Sequence, residues 1–115
     1  MTEKNKELFV RHFERVQREC FEIATSKGWH DTPRTHGEYF ALFHREISEG
    51  FEGIRHRNPA SDKIPKFTAV EEELADTIIR ICDYAEAMGF DVANAMLAKI
   101  EYKKSRSYRH GNKAV

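Results

Sequence analysis

Apolar residues recur at three- and four-residue steps in three long stretches of this chain, with polar residues filling the faces between them. In the first stretch Phe9, Phe13, Val16, Cys20, Ile23 and Ala24 trace one stripe, which predicts an amphipathic helix over about 4–27. Gly28 stands where glycine commonly ends a helix. The second stripe, Phe40, Phe43, Ile47, Phe51 and Ile54, predicts a helix over about 38–56. The third comprises Val70, Leu74, Ile78, Ile81, Ala85 and Met88. It opens at Thr68 with Glu71 three residues on, a capping-box pattern, and closes at "MGFD". Asp91 suits the N-cap of a fourth helix that runs to about 106, with Ala93, Leu97 and Ile100 on one face.

The intervening runs "WHDTPRTHG" and "RNPASDKIP" are loops by composition, and "YRHGNKAV" reads as a partly ordered tail. No stretch shows the alternation of a strand. Four helices with short connections predict an all-α four-helix bundle, one domain over residues 1–115 with a basic tail from about 107. Ile79 and Cys82 lie off the main stripe of the third helix. That extra flank predicts more than one neighbour, another subunit included.

Composition narrows the class. At 40% hydrophobic and 33% charged the chain fits a soluble, helix-rich protein. It has no apolar run near the roughly 18 residues that suggest a membrane span. The charged "MTEKNKELFV" lacks a signal-type apolar block, so a cytoplasmic protein is expected. Cys20 and Cys82 form no CxxC and read as small buried hydrophobes. The formal net charge is zero but unevenly spread: six Lys or Arg and one acid, Glu101, fall within 99–113. The rest of the chain is therefore acidic.

Two acid pairs change the picture further. Glu46 and Glu49 lie about 60° apart on one helical face, away from the stripe through Ile47. Glu73 and Asp76 repeat the spacing and share a face with Arg80, which is expected to contact substrate. Either pair alone is what a solvated face looks like. However, the first face also carries Leu42 and Gly53, and a glycine there permits close approach. Like charges at these spacings repel, so two such pairs brought together need a cation. Four carboxylates suit a hard ion, Mg²⁺ or Mn²⁺. A di-iron bundle would need Glu-x-x-His, and no Glu here has His three residues later.

On the fourth helix Lys99, Lys103 and Arg106 share a face with Tyr102 at its edge, a possible phosphate grip. The plainer reading is a solvated helix end whose charges suit its C-terminus. A nucleic-acid arm is a third use, but one short basic run on an acidic body is weak support for it. None of the six histidines forms a metal-ligand pair at helical spacing. Trp29 reads equally as a loop anchor or as a stacking surface for a base.

"ALFHREISEGFEGIR", "EEELADTIIRICDYAEAMG" and "LAKIEYKKSRSYRHGNK" together resemble the MazG-like family of all-α nucleoside triphosphate pyrophosphohydrolases, over about 28–113. The family pattern is Glu-Glu-x-x-Glu, a gap, then Glu-x-x-Asp. The resemblance implies that Glu46, Glu49, Glu73 and Asp76 are magnesium ligands and catalytic residues. It implies phosphate contacts at Lys99, Tyr102 and Arg106, with Lys103 beside them, and a base contact at Trp29. It also implies a homodimer or homotetramer with sites near subunit contacts. Two positions depart from the family: Arg45 replaces the first acid of the double-Glu element, and Lys103 replaces the usual Asn. The expected activity is Mg²⁺-dependent cleavage of a (deoxy)nucleoside triphosphate to monophosphate and pyrophosphate. The alternative is a non-catalytic helical module that binds a nucleotide or a partner.

Overall fold

A computed structural model describes residues 1–114; Val115, the last residue of the expected domain, lies outside the described residues. Four long helices form: α1 (Glu3–Ser26), α2 (His36–Arg55), α3 (Ala69–Met88) and α4 (Val92–Lys104). A single turn, α5 (Arg109–Asn112), follows in the basic tail. The described residues contain no strand, only an isolated bridge between Ala60 and Thr68. No helix of the described chain is long and apolar enough to cross a membrane.

Local chemistry sets the helix ends. Thr68 accepts the Glu71 amide while the Glu71 carboxylate accepts from Thr68, a complete capping box. Thr35 and Glu38 form the same box at α2, which starts two residues earlier than its apolar periodicity alone suggests. Asp91 caps α4 through the Asn94 amide. Gly89 closes α3 at φ 73°, a left-handed conformation that glycine adopts without strain.

α3 is the central element. It packs on α2 along one side and on α1 along another, and α4 lies against α1. The interior is small and polar. Gln17, Glu46, Thr77, Tyr39, Cys82 and Ala85 are buried. The apolar stripes behave differently from what amphipathicity alone predicts. Ile47, Phe51 (64% exposed) and Ile54 of α2 face outward, as do Leu74 and Ile78 (55% exposed) of α3, while half-exposed Phe40 and Phe43 pack edge-on against Tyr84 of α3. The reason lies at the α2–α3 contact. A Cβ placed on Gly53 would sit 3.2 Å from the Ala69 Cβ, and one on Gly50 would sit 3.4 Å from the Glu73 Cβ. The helices approach along their small-residue faces, which turns the bulky residues away.

The result is an open chain. Its radius of gyration is 16.8 Å, against roughly 13 Å for a compact domain of this size. It exposes 8938 Å², against about 6,500 Å² for a typical folded monomer of this length.

Candidate metal centre and adjoining cleft

The close approach of α2 and α3 puts the two acid pairs together. Carboxylate oxygens of Glu46, Glu49 and Glu73 lie within 4.8 Å of one another, and so do those of Glu72, Glu73 and Asp76. Glu73 belongs to both groups. The four spaced acids are therefore united as two overlapping triads rather than one ring, with Glu72 completing the second.

Two arginines offset the crowding. Arg80 Nε donates to Glu46 Oε1 at 2.8 Å, from α3 to α2. Arg45 reaches the same oxygen at 3.4 Å and lies 3.9 Å from Glu49. Arg45 thus neutralises part of the cluster.

Ionisation within the cluster is uneven. Burial opposes the charge on Glu46, which is 4% exposed. Hydrogen bonds from a protonated Glu73 and from Arg80, with the arginine's charge, outweigh that and hold its pKa below the ordinary range. Glu73 moves the opposite way. Burial first, then its neighbours Glu46 and Glu49, push it up to about 8. The two carboxyls are driven apart in ionisation by their proximity, with the Arg80 guanidinium favouring the charged form of Glu46. Burial also raises Asp76, with help from the charges of Glu46 and Glu72.

One atom shows what the cluster lacks. Glu73 Oε2 is buried and has no hydrogen-bond partner among the described residues. Its carboxylate neighbours can only accept when ionised. A proton on the pair, or a cation between the acids, satisfies that oxygen. An all-oxygen donor set of this kind could hold a hard divalent cation.

Beside the acids is a cleft of about 310 Å³ lined by Lys27, Trp29, Arg34, Lys63, Asp76 and Arg80. Trp29, 59% exposed, is covered on one side by the Arg34 guanidinium, 5.2 Å from the ring centre. Of the expected substrate-binding residues, Trp29 and Arg80 therefore stand next to the acids. The helix-four group does not within one chain. Lys99 and Arg106 stack on the Tyr102 ring at 4.6 and 5.5 Å, so three of its members do converge. However, α4 packs on α1, and Lys99, Tyr102, Lys103 and Arg106 do not line the cleft. A larger groove of about 640 Å³ lies between α1 and α4, away from the acid cluster.

Several residues of the site were silent in the sequence. Lys27, Arg34 and Lys63 sit at a helix end or in loops, where no periodicity assigns a direction. His30, in the run "WHDTPRTHG", pairs with Asp83 of α3 at 2.7 Å and holds the Trp29 loop against the bundle. The Tyr39 hydroxyl lies 3.4 Å from its other ring nitrogen. Cys20 and Cys82 face each other between α1 and α3. Burial raises both thiols, Cys82 to about 11, which keeps them protonated and unreactive.

Comparison with protein-family models, with curated proteins and with solved structures finds no match for this chain.

Proposed function

We propose that this chain is a MazG-like nucleoside triphosphate pyrophosphohydrolase, a Mg²⁺-dependent enzyme that acts as a homodimer or homotetramer. The observation that carries the reading is the meeting of Glu46, Glu49, Glu72, Glu73 and Asp76 from two helices around a buried, unpartnered oxygen. Acids on a solvated surface point to water. Here Glu46 is 4% exposed and Glu73 Oε2 is buried without a partner, an arrangement whose cost a bound cation would offset.

Glu46, Glu49, Glu73 and Asp76 would hold the ion, with Mn²⁺ a possible substitute. Bound there, Mg²⁺ would neutralise phosphate charge and make water a better nucleophile at neutral pH. In the reaction water attacks the α-phosphorus, the bond from that phosphorus to the α–β bridging oxygen breaks, and pyrophosphate leaves with the electron pair. The proton of the water passes to a carboxylate of the cluster. Arg80 keeps Glu46 ionised and oriented, and Trp29 offers an aromatic edge for the base.

The oligomeric part of the proposal rests on the outward stripes of α2 and α3. An apolar face of that extent needs a second apolar surface. The excess exposed area over a compact monomer, on the order of 2,000 Å², matches what stable homodimers bury. A second copy could then bring its α4 cations, Lys99, Lys103 and Arg106, towards the acids of the first.

A panel of ribo- and deoxynucleoside triphosphates with Mg²⁺, read out as pyrophosphate, tests the activity. Turnover of at least one triphosphate, lost in Glu73→Gln with helicity intact, is expected. No turnover across the panel, or undiminished turnover in the variant, overturns the reading.

A further inference from the structure

The cleft beside the acids holds more positive charge than it needs. Lys27 follows α1, Arg34 precedes α2, Lys63 lies between α2 and α3, and Arg80 belongs to α3. Arg80 is committed to Glu46. Lys27, Arg34 and Lys63 have no carboxylate within 4.0 Å among the described residues. Asp83 is taken by His30. Asp76 feels the charge of Lys63 without forming an ion pair with it, and Arg34 lies over the Trp29 and Tyr39 rings. Four cations against two carboxylates leave this partly enclosed cleft with a positive field.

The position of Lys63 is built rather than incidental. Ser61 is 3% exposed although it lies in a surface loop. Its hydroxyl donates to Glu72 Oε1 and accepts the amides of Lys63 at 3.2 Å and Ile64 at 3.1 Å. Its own amide donates to the Phe67 carbonyl at 2.8 Å. A single side chain thus ties the backbone of Lys63 to the α3 residue next to Glu73.

We propose that this cleft seats a diphosphate group, with Lys63 its principal contact, Lys27 and Arg34 its further cations, and Ser61 the positioning residue for Lys63. The proposal rests on the enzymatic reading for its biological ligand, the pyrophosphate end of a nucleoside triphosphate. The acids and the cations meet at Asp76, so a phosphate chain runs from the acid cluster into the cleft. Two lysines and an arginine fit a group carrying three to four negative charges, and the half-exposed Trp29 ring of the same cleft is left for the base.

The test is calorimetric titration of inorganic pyrophosphate into the full-length chain in chelator, without divalent ions. The wild-type chain binds, and affinity falls as salt rises. Lys63→Gln weakens binding by roughly tenfold or more, and Lys27→Gln does the same to a lesser degree. Lys66→Gln, which removes a lysine of the same loop outside the cleft, leaves affinity unchanged. Ser61→Ala weakens binding severalfold with helicity unaltered, and Ser61→Thr, which keeps the hydroxyl, restores it. Absence of binding in the wild type overturns the proposal. So does equal loss in Lys63→Gln and Lys66→Gln, which would mark a net-charge effect. Pyrophosphate binding lost in Lys63→Gln without any triphosphate turnover upholds the cleft and defeats the enzyme. Turnover with an unaltered KM in Lys63→Gln upholds the enzyme and defeats the cleft.

Discussion

The two faces of α2 invert the usual order of a helical protein. The face turned to α3 carries Glu46, Gly50 and Gly53, and the face turned outward carries Ile47, Phe51 and Ile54, while Phe40 and Phe43 at the start of the stripe pack on Tyr84 of α3. An ordinary amphipathic helix buries the second set. The difference teaches that each face is half of something. The inner face is acidic and leaves Glu73 Oε2 without a partner, which the proposed reading fills with a cation. The outer face is apolar and exposed, which the proposed reading covers with a second copy. The fold keeps these needs on separate faces of one helix, about 100° apart, and the glycines that bring Glu46 to Glu73 leave Phe51 outside.

Breaking the inner face should have the largest effect. Glu46→Gln or Asp76→Asn is expected to reduce Mg²⁺-dependent pyrophosphate release by more than the roughly 10–100-fold that outer-shell changes cost at metal sites. Circular dichroism should show the helices intact. Full activity in both variants would separate the acids from the chemistry.

Breaking the outer face should change assembly. Phe51→Glu, or Ile78→Glu across the same surface, is expected to convert the proposed oligomer to monomer in light scattering, because a carboxylate in an apolar interface is costly to desolvate. A wild-type chain that runs as a monomer at micromolar concentration would remove the need for a second copy.

The glycines test the hinge between the two faces. Gly53→Ala should lower the melting temperature. Its methyl group meets Ala69 at 3.2 Å, and separating the helices outweighs the roughly 1 kcal/mol that alanine gains over glycine in a helix. Gly50→Ala meets Glu73 at 3.4 Å, an ordinary contact, and should be neutral or slightly stabilising. Equal effects at both positions would contradict the packing described for α2 and α3.

The smallest expected effect is on pH. In the metal-free chain the Glu73 carboxyl titrates at about 8, above its ordinary value of 4.5. Between those values the folded chain holds a proton that the unfolded chain has released. Stability from this group is full below about pH 4.5 and is lost as pH rises through 8. Melting temperature in chelator should fall across that window, less so in Glu73→Gln. The lowered pKa of Glu46 acts only below its ordinary value of 4.5, where its contribution is lost as pH falls, and leaves the slope between 4.5 and 8 unchanged.

Much of the fold was legible because its signals are local. Thr68 with Glu71 and Asp91 with Asn94 are short-range caps, and the structure forms both. The paired spacing of the acids on α2 and α3 was legible for the same reason, and Gly53 correctly marked a close approach. What periodicity could not supply was the phase of packing. A helix shows two faces, and only the partner decides which one turns inward. Small residues at Ala69, Gly50 and Gly53 outweighed a strong apolar stripe. The cleft was hidden for a different reason. Lys27, Arg34 and Lys63 come from three separate segments, and the His30–Asp83 pair spans 53 positions. The basic side of α4 was legible as a cluster around Tyr102, but its position depends on α1, which the local pattern does not specify.

The central claim is that the inward acids of α2 and α3 hold a divalent cation. Titration of Mn²⁺ into the metal-free chain, followed by the loss of its free paramagnetic signal, measures this without substrate. The account predicts saturable binding in the wild type, competed by Mg²⁺, and its loss in Glu73→Gln. Binding of the same strength and stoichiometry in the wild type and in Glu73→Gln would contradict it.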